Sequence, residues 1–370
     1  MPGQASIPPW QRRYVTLDGM RGIAALAVAL FHYNISQAPH GYVAVDFFFA
    51  LSGFVLCRAY LPRWQDGMGT WAFLKQRVIR LYPLFLVGLL VTTLSAVSNR
   101  YTGKGDIYSY EKIATSLPFN LLMLPSPVTN TLFPFNVPAW SLFFELIANL
   151  GLVLVLFRLP RLALLALCLA AGWWYAPVVL ENEGGNLGAV WHQLDTSMVR
   201  TTFSFTAGVL IARLPQPASR PAGWLGVACL AAIAAMLLLD LPAIPPAHYD
   251  LVCAMVLAPL LVWIGARCEP PRFLAPVAWF LGEVSYALYA VHWALMEPLR
   301  YFKDDLGFNP VLMAFAYLGC CIALAWLCMR WIDVPVRAWL SGKNERRPRA
   351  ARSEPGELSH AAVAKSAIGG

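Results

Sequence analysis

The chain has 370 residues, of which 58% are hydrophobic and only 13% charged, with a net charge of +8. Soluble domains carry about 25% charged residues, and a water-soluble fold of this size cannot bury so much apolar surface. The composition therefore predicts an all-α, polytopic membrane protein, and the scatter of basic residues through short loops argues for membrane topology and against a nucleic-acid partner.

Residues 1–16 read as a short cytoplasmic N-terminal segment. A transmembrane domain follows over 17–340, with ten apolar stretches at 19–36, 42–60, 79–98, 138–157, 161–179, 198–213, 222–240, 250–266, 277–298 and 309–332. Each approaches the length a helix needs to cross a hydrocarbon core about 30 Å thick. A shorter apolar piece, Ile113 to Leu124, sits in a Pro- and Asn-rich stretch ending at Pro138 and reads as re-entrant or interfacial. The tail 341–370 is rich in Arg, Ala and Ser without apolar periodicity. It is expected to be disordered and cytoplasmic, with Arg346 to Arg352 suited to anionic membrane lipid. The eight cysteines form no C-x-x-C pair and have no metal-ligand spacing to a histidine, so they read as small buried hydrophobes and no metal is expected.

Loop charges orient the bundle. With the N-terminus in the cytoplasm, the inner segments hold Arg12, Arg13, Arg58, Arg63, Lys75, Arg77, Arg80, Arg158, Arg161, Arg213, Arg220, Arg267 and Arg272. The outer segments hold Arg100, Lys104, Lys112, Arg200, Arg300 and Lys303. An even number of crossings returns the C-terminus to the cytoplasm.

Ionisable residues inside the spans mark function. Arg21 and His32 are eleven positions apart on the first helix. That is close to three turns, so they share a face and stand about 16 Å apart along the axis. Arg77 and Arg80, one turn apart at the inner start of the third span, join Arg21 in a basic inner mouth suited to phosphate. His32, Asp46, Glu145, Ser285, Tyr286, Tyr289 and His292 sort toward the outer side. His32 with Asp46 or Glu145 is the pattern of a general base oriented by a carboxylate. There is no G-x-S-x-G nucleophile elbow, and Ser52 and Gly53 read as close-packing residues at a helix crossing.

Five elements occur in order. They are Leu17-Asp18-Gly19-Met20-Arg21-Gly22 with ten residues to His32; Gly41-Tyr42-Val43-Ala44-Val45-Asp46 with Leu51-Ser52-Gly53-Phe54; Arg77-Val78-Ile79-Arg80; Trp140-Ser141-Leu142 with Glu145; and Ser285-Tyr286-Ala287-Leu288-Tyr289 with His292. Across about residues 14–338 the chain resembles the acyltransferase 3 family of membrane-bound O-acyltransferases. It departs from the family in lacking a second acid beside Glu145 and in carrying Ala290-Val291 before the late histidine.

The resemblance implies transfer of an acyl group, foremost acetyl, from acyl-coenzyme A to a hydroxyl of a cell-surface or exported saccharide or glycolipid. The setting it implies is the bacterial inner membrane, with acyl-coenzyme A as donor substrate and no bound cofactor. His32, Asp46 and Glu145 would be catalytic; Arg21, Arg77 and Arg80 would hold the donor. Trp140, Ser141, Tyr286 and His292 would contact the acceptor or stabilise the oxyanion. A lipid, peptide or antibiotic acceptor is an alternative, and proton-coupled transport is the rival from another class. The absence of visible internal repeats argues against transport.

Overall fold

The computed structural model describes residues 13–101, 108–217, 220–221, 223–304 and 306–342. Most of the N-terminal segment, Lys104 and the basic tail beyond Gly342 lie outside them. Each apolar stretch falls on a continuous helical run: α1 (Val15–Tyr33), α2 (Ala44–Gln65), α3 (Thr70–Tyr101), α5 (Ala139–Gly151), α6 (Arg161–Glu181), α7 (Leu194–Arg213), α8 (Trp224–Leu238), α9 with α10 (Pro246–Val252, Ala258–Gly265), α11 (Ala275–Asp304), and α12 with α13 (Pro310–Cys328, Val334–Leu340). The short piece forms α4 (Tyr110–Leu121), too short to cross. Single π turns extend α5 and join α9 to α10 and α12 to α13.

Among the described residues seven runs are long and apolar enough to cross a membrane, and the protein is an integral membrane protein. α8 is apolar but short, whereas α7 and α11 carry charged side chains. On α7 that charge is turned inward: Arg200 is only 1% exposed.

Two element boundaries matter for the site. α3 begins at Thr70 rather than near 79, so Arg77 and Arg80 lie inside the helix. α7 begins at Leu194, which puts Arg200 two turns into a helix, not in an outer loop. α1 lies along α11 and α2 along α7; α3 and α12 also flank α11. Glycines permit both central crossings. A Cβ on Gly22 would stand 2.4 Å from Leu281, and one on Gly53 would stand 2.1 Å from the Phe205 carbonyl oxygen. These contacts fix Arg21 against α11 and Gly53 against α7.

The segment before α5 is buried in the bundle. Leu132, Phe133, Phe135 and Asn136 are all nearly inaccessible, and Asn136 donates to the Ala290 carbonyl of α11 at 3.1 Å. Backbone bonds from Leu132 to Ala189 (2.9 Å) and from Trp191 to Asn130 (3.0 Å) stitch this segment to the loop after α6. The segment before α5 and the loop after α6 are thus joined.

Candidate active site

A cavity of about 220 Å³ opens between α1, α2, α3, α5 and α11. Arg21, Arg77 and Arg80 line it, with Glu145 as its one acidic side chain among the described residues. Arg21 is braced: it donates to Ser285 Oγ (2.9 Å), the Gly282 carbonyl (2.6 Å) and Asp18 (3.1 Å). Arg80 stands 3.6 Å from Asp333 and over the Tyr286 ring. Asp333 lies in the π turn before α13 and also pairs with Arg337 at 2.9 Å.

Arg77 is less satisfied. It donates to Glu145 Oε1 at 3.1 Å, while its Nε–H is buried without an acceptor. Ser52 Oγ donates to the same carboxylate oxygen at 3.0 Å, so Ser52 belongs to the cavity and not to the helix crossing. Glu145 therefore belongs with the basic residues, not with His32. The reason is the buried approach to α5: the helix starts inside the bundle, so counting turns from its first residue overstates its distance from the arginines.

The cavity is bounded toward the histidines by Ser141 and Tyr289, whose hydroxyls are 2.6 Å apart. The Tyr289 ring lies 5.8 Å from that of His292, and His292 Nε2 meets His32 Nδ1 at 3.1 Å. This contact replaces the carboxylate expected beside His32. Its tautomers follow from the acceptors. His292 Nδ1 faces the carbonyls of Tyr289 (2.8 Å) and Leu288 (3.3 Å), so that nitrogen carries the proton and Nε2 is an acceptor. His32 Nδ1 must then donate to it, and the same ring also bonds the Val28 backbone one turn earlier. His292 is fully buried, and its backbone carbonyl accepts from Tyr317 at 3.1 Å. Arg300 holds the end of α1 through the carbonyls of His32 (2.6 Å) and Tyr33 (3.2 Å).

Asp46 and Trp140 lie elsewhere. Both Asp46 oxygens accept from Arg200, at 2.9 and 2.6 Å, and Ser204 adds a bond at 3.3 Å. With its lone pairs engaged and no exposure, Asp46 joins α2 to α7 and does not orient His32. Trp140 packs on the same guanidinium, 5.7 Å from its ring centroid. The Tyr286 hydroxyl donates to the Leu81 carbonyl, so its proton is already engaged.

A family profile described as an acyltransferase domain matches residues 14–330. The chain belongs to the acyltransferase 3 family. It is therefore an acyltransferase, and the family elements that line the cavity come from five separate helices. Protein 2 in picA locus from Rhizobium radiobacter is 40% identical over 156 residues, 38% of this chain and 81% of that protein. Acyltransferase MdmB from Streptomyces mycarofaciens is 27% identical over 390 residues, covering 94% of this chain and 97% of that protein. Peptidoglycan O-acetyltransferase OatA from Listeria monocytogenes is 34% identical over 91 residues, only 24% of this chain and 15% of that relative. No solved structure matches.

Proposed function

We propose that this acyltransferase moves an acetyl group from acetyl-coenzyme A to a hydroxyl of a cell-surface or exported saccharide. The ten helical runs cross the bacterial inner membrane with both termini in the cytoplasm. The observation that carries the donor reading is Arg77, whose buried Nε–H has no acceptor, in a cavity that Arg21 and Arg80 also line while their partners Asp18 and Asp333 stand outside the lining. A phosphate supplies the missing acceptor. The apolar walls, including Leu51, Val55 and Leu142, suit the thin arm that carries the thioester.

His32 then acts as general base through its Nε2. It takes the proton from the acceptor hydroxyl as that oxygen attacks the thioester carbonyl. The C–O bond forms, the C–S bond breaks, and the proton passes to the departing thiolate. His292 fixes the tautomer of His32 without adding a countercharge. Ser141 and Tyr289 stand at the cavity end nearest the histidines, but their two protons are shared between their own contact and the Pro138 carbonyl (3.0 and 3.1 Å), so either must leave that carbonyl to donate to the oxyanion. The saccharide reading is supported by the relative named a peptidoglycan O-acetyltransferase.

The test is mass spectrometry of surface glycans and lipids with the gene deleted, restored, and restored as His32→Gln. One acetyl increment should disappear from a glycan on deletion, return with the intact gene, and stay absent with the variant. An increment lost from a lipid instead reassigns the acceptor. No change in any acetylated species refutes the proposal.

A further inference from the structure

A second and larger cavity, about 860 Å³, lies on a different face of α2, where α2 and α7 end and α6 begins. Its volume is in the range of ligand sites, roughly 300–1,000 Å³. Arg58, Arg161, Arg213 and Arg220 line it, and no acidic side chain is among its lining residues. Three of these guanidinium groups have partners. Arg213 donates to the carbonyls of Leu156 (2.7 Å), Phe157 (3.2 Å) and Leu159 (2.6 Å), closing the C-terminal end of the α5 run. Arg161 donates to the Arg213 carbonyl at 2.6 Å. Arg220 pairs with Glu269 and stacks on Tyr14.

Arg58 differs. No hydrogen bond or ion pair reaches it among the described residues, and its Nε–H is buried without an acceptor. A guanidinium held beside three others, with no anion of its own, is an unfavourable arrangement unless an anion enters. The three partnered arginines have neutral carbonyls or a single shared carboxylate, so the cavity keeps a positive field.

We infer that this cavity is a second anion site, which takes a phosphate ester through Arg58. Arginine forks bind phosphate oxygens in pairs, and basic pockets between helices at a membrane surface recruit anionic headgroups. Leu61, Phe157 and the neighbouring prolines give the cavity an apolar wall for the ester's organic part. Two sources share this chemistry: the headgroup of an anionic phospholipid, and a soluble phosphorylated nucleotide. The site stands apart from the donor cavity and does not depend on the reaction assigned there.

The experiment measures thermal stability of the purified full-length protein in neutral detergent against rising concentrations of three probes. These are phosphatidylglycerol, adenosine 3′,5′-bisphosphate, and diacylglycerol as a phosphate-free lipid. Wild type should be stabilised by phosphatidylglycerol or by the nucleotide, but not by diacylglycerol. Arg58→Gln should weaken that response about tenfold in apparent affinity. A response to phosphatidylglycerol identifies the lipid source, and one to the nucleotide identifies the soluble source. If Arg58→Gln is not recovered folded, Arg58→Lys is read in the same way, since it keeps the charge and loses the fork. Equal responses of wild type and variant to every probe overturn the inference. So does a nucleotide response that Arg77→Gln removes and Arg58→Gln leaves intact, because it belongs to the donor cavity.

Discussion

The Arg200–Asp46 cluster and the Arg77–Glu145 cluster use the same pair of residue types, yet they are built for opposite ends. Every nitrogen of Arg200 has an acceptor: Asp46 at 2.9 and 2.6 Å, the Leu187 carbonyl at 2.7 Å, and the Tyr42 carbonyl at 3.2 Å. Both side chains are sealed from solvent. Arg77 has Glu145 at 3.1 Å, an orphaned Nε–H, and a cavity in front of it. A saturated cluster has no capacity left for a ligand and serves the fold. An unsaturated one retains capacity that a ligand can fill. His32 stands with the second kind in one respect: no carboxylate pairs with it among the described residues, and its ring meets His292 instead.

The sharpest separation of the two kinds is His32→Gln. It keeps polarity and approximate volume but removes the base, so acyl transfer per folded molecule should fall by about 10²–10⁴-fold. Its melting temperature should stay near wild type. Retained activity would break the assignment of chemistry to the unsaturated groups. Asp46→Ala should behave in the reverse manner. It strands a buried guanidinium, and breaking such a pair costs about 3–5 kcal/mol. Yield and melting temperature should drop, while the folded fraction keeps its specific activity. Replacing both partners by apolar residues should recover most of that loss. A stable Asp46→Ala protein without activity would place Asp46 in the chemistry.

Hydropathy made the helices legible, since lipid-facing and core-facing residues are both apolar and a span needs a fixed length. The arginines facing the cavity were legible because charge inside an apolar helix is costly. Arg200 was not, because a loop-charge argument treats every arginine near a helix end as a flank. Its signal was a polar stripe on α7: Ser197, Arg200, Thr201 and Ser204 recur at helical spacing, and all are buried. Glu145 was placed at the wrong depth because the segment before α5 runs inside the bundle rather than at the surface. The pairing of His32 with His292 joins residues on α1 and α11, and no local pattern encodes a contact over that separation.

Binding of coenzyme A to wild type and to Arg77→Gln, with melting temperature recorded on the same samples, tests the central distinction most directly. An unsaturated guanidinium that holds donor phosphate predicts affinity about ten- to a hundredfold weaker in the variant. The melting temperature should be nearly unchanged, because Glu145 is the one hydrogen-bond partner of Arg77 among the described residues. Unchanged coenzyme A affinity in an Arg77→Gln protein of lowered stability would contradict the account and make Arg77 a second structural arginine like Arg200.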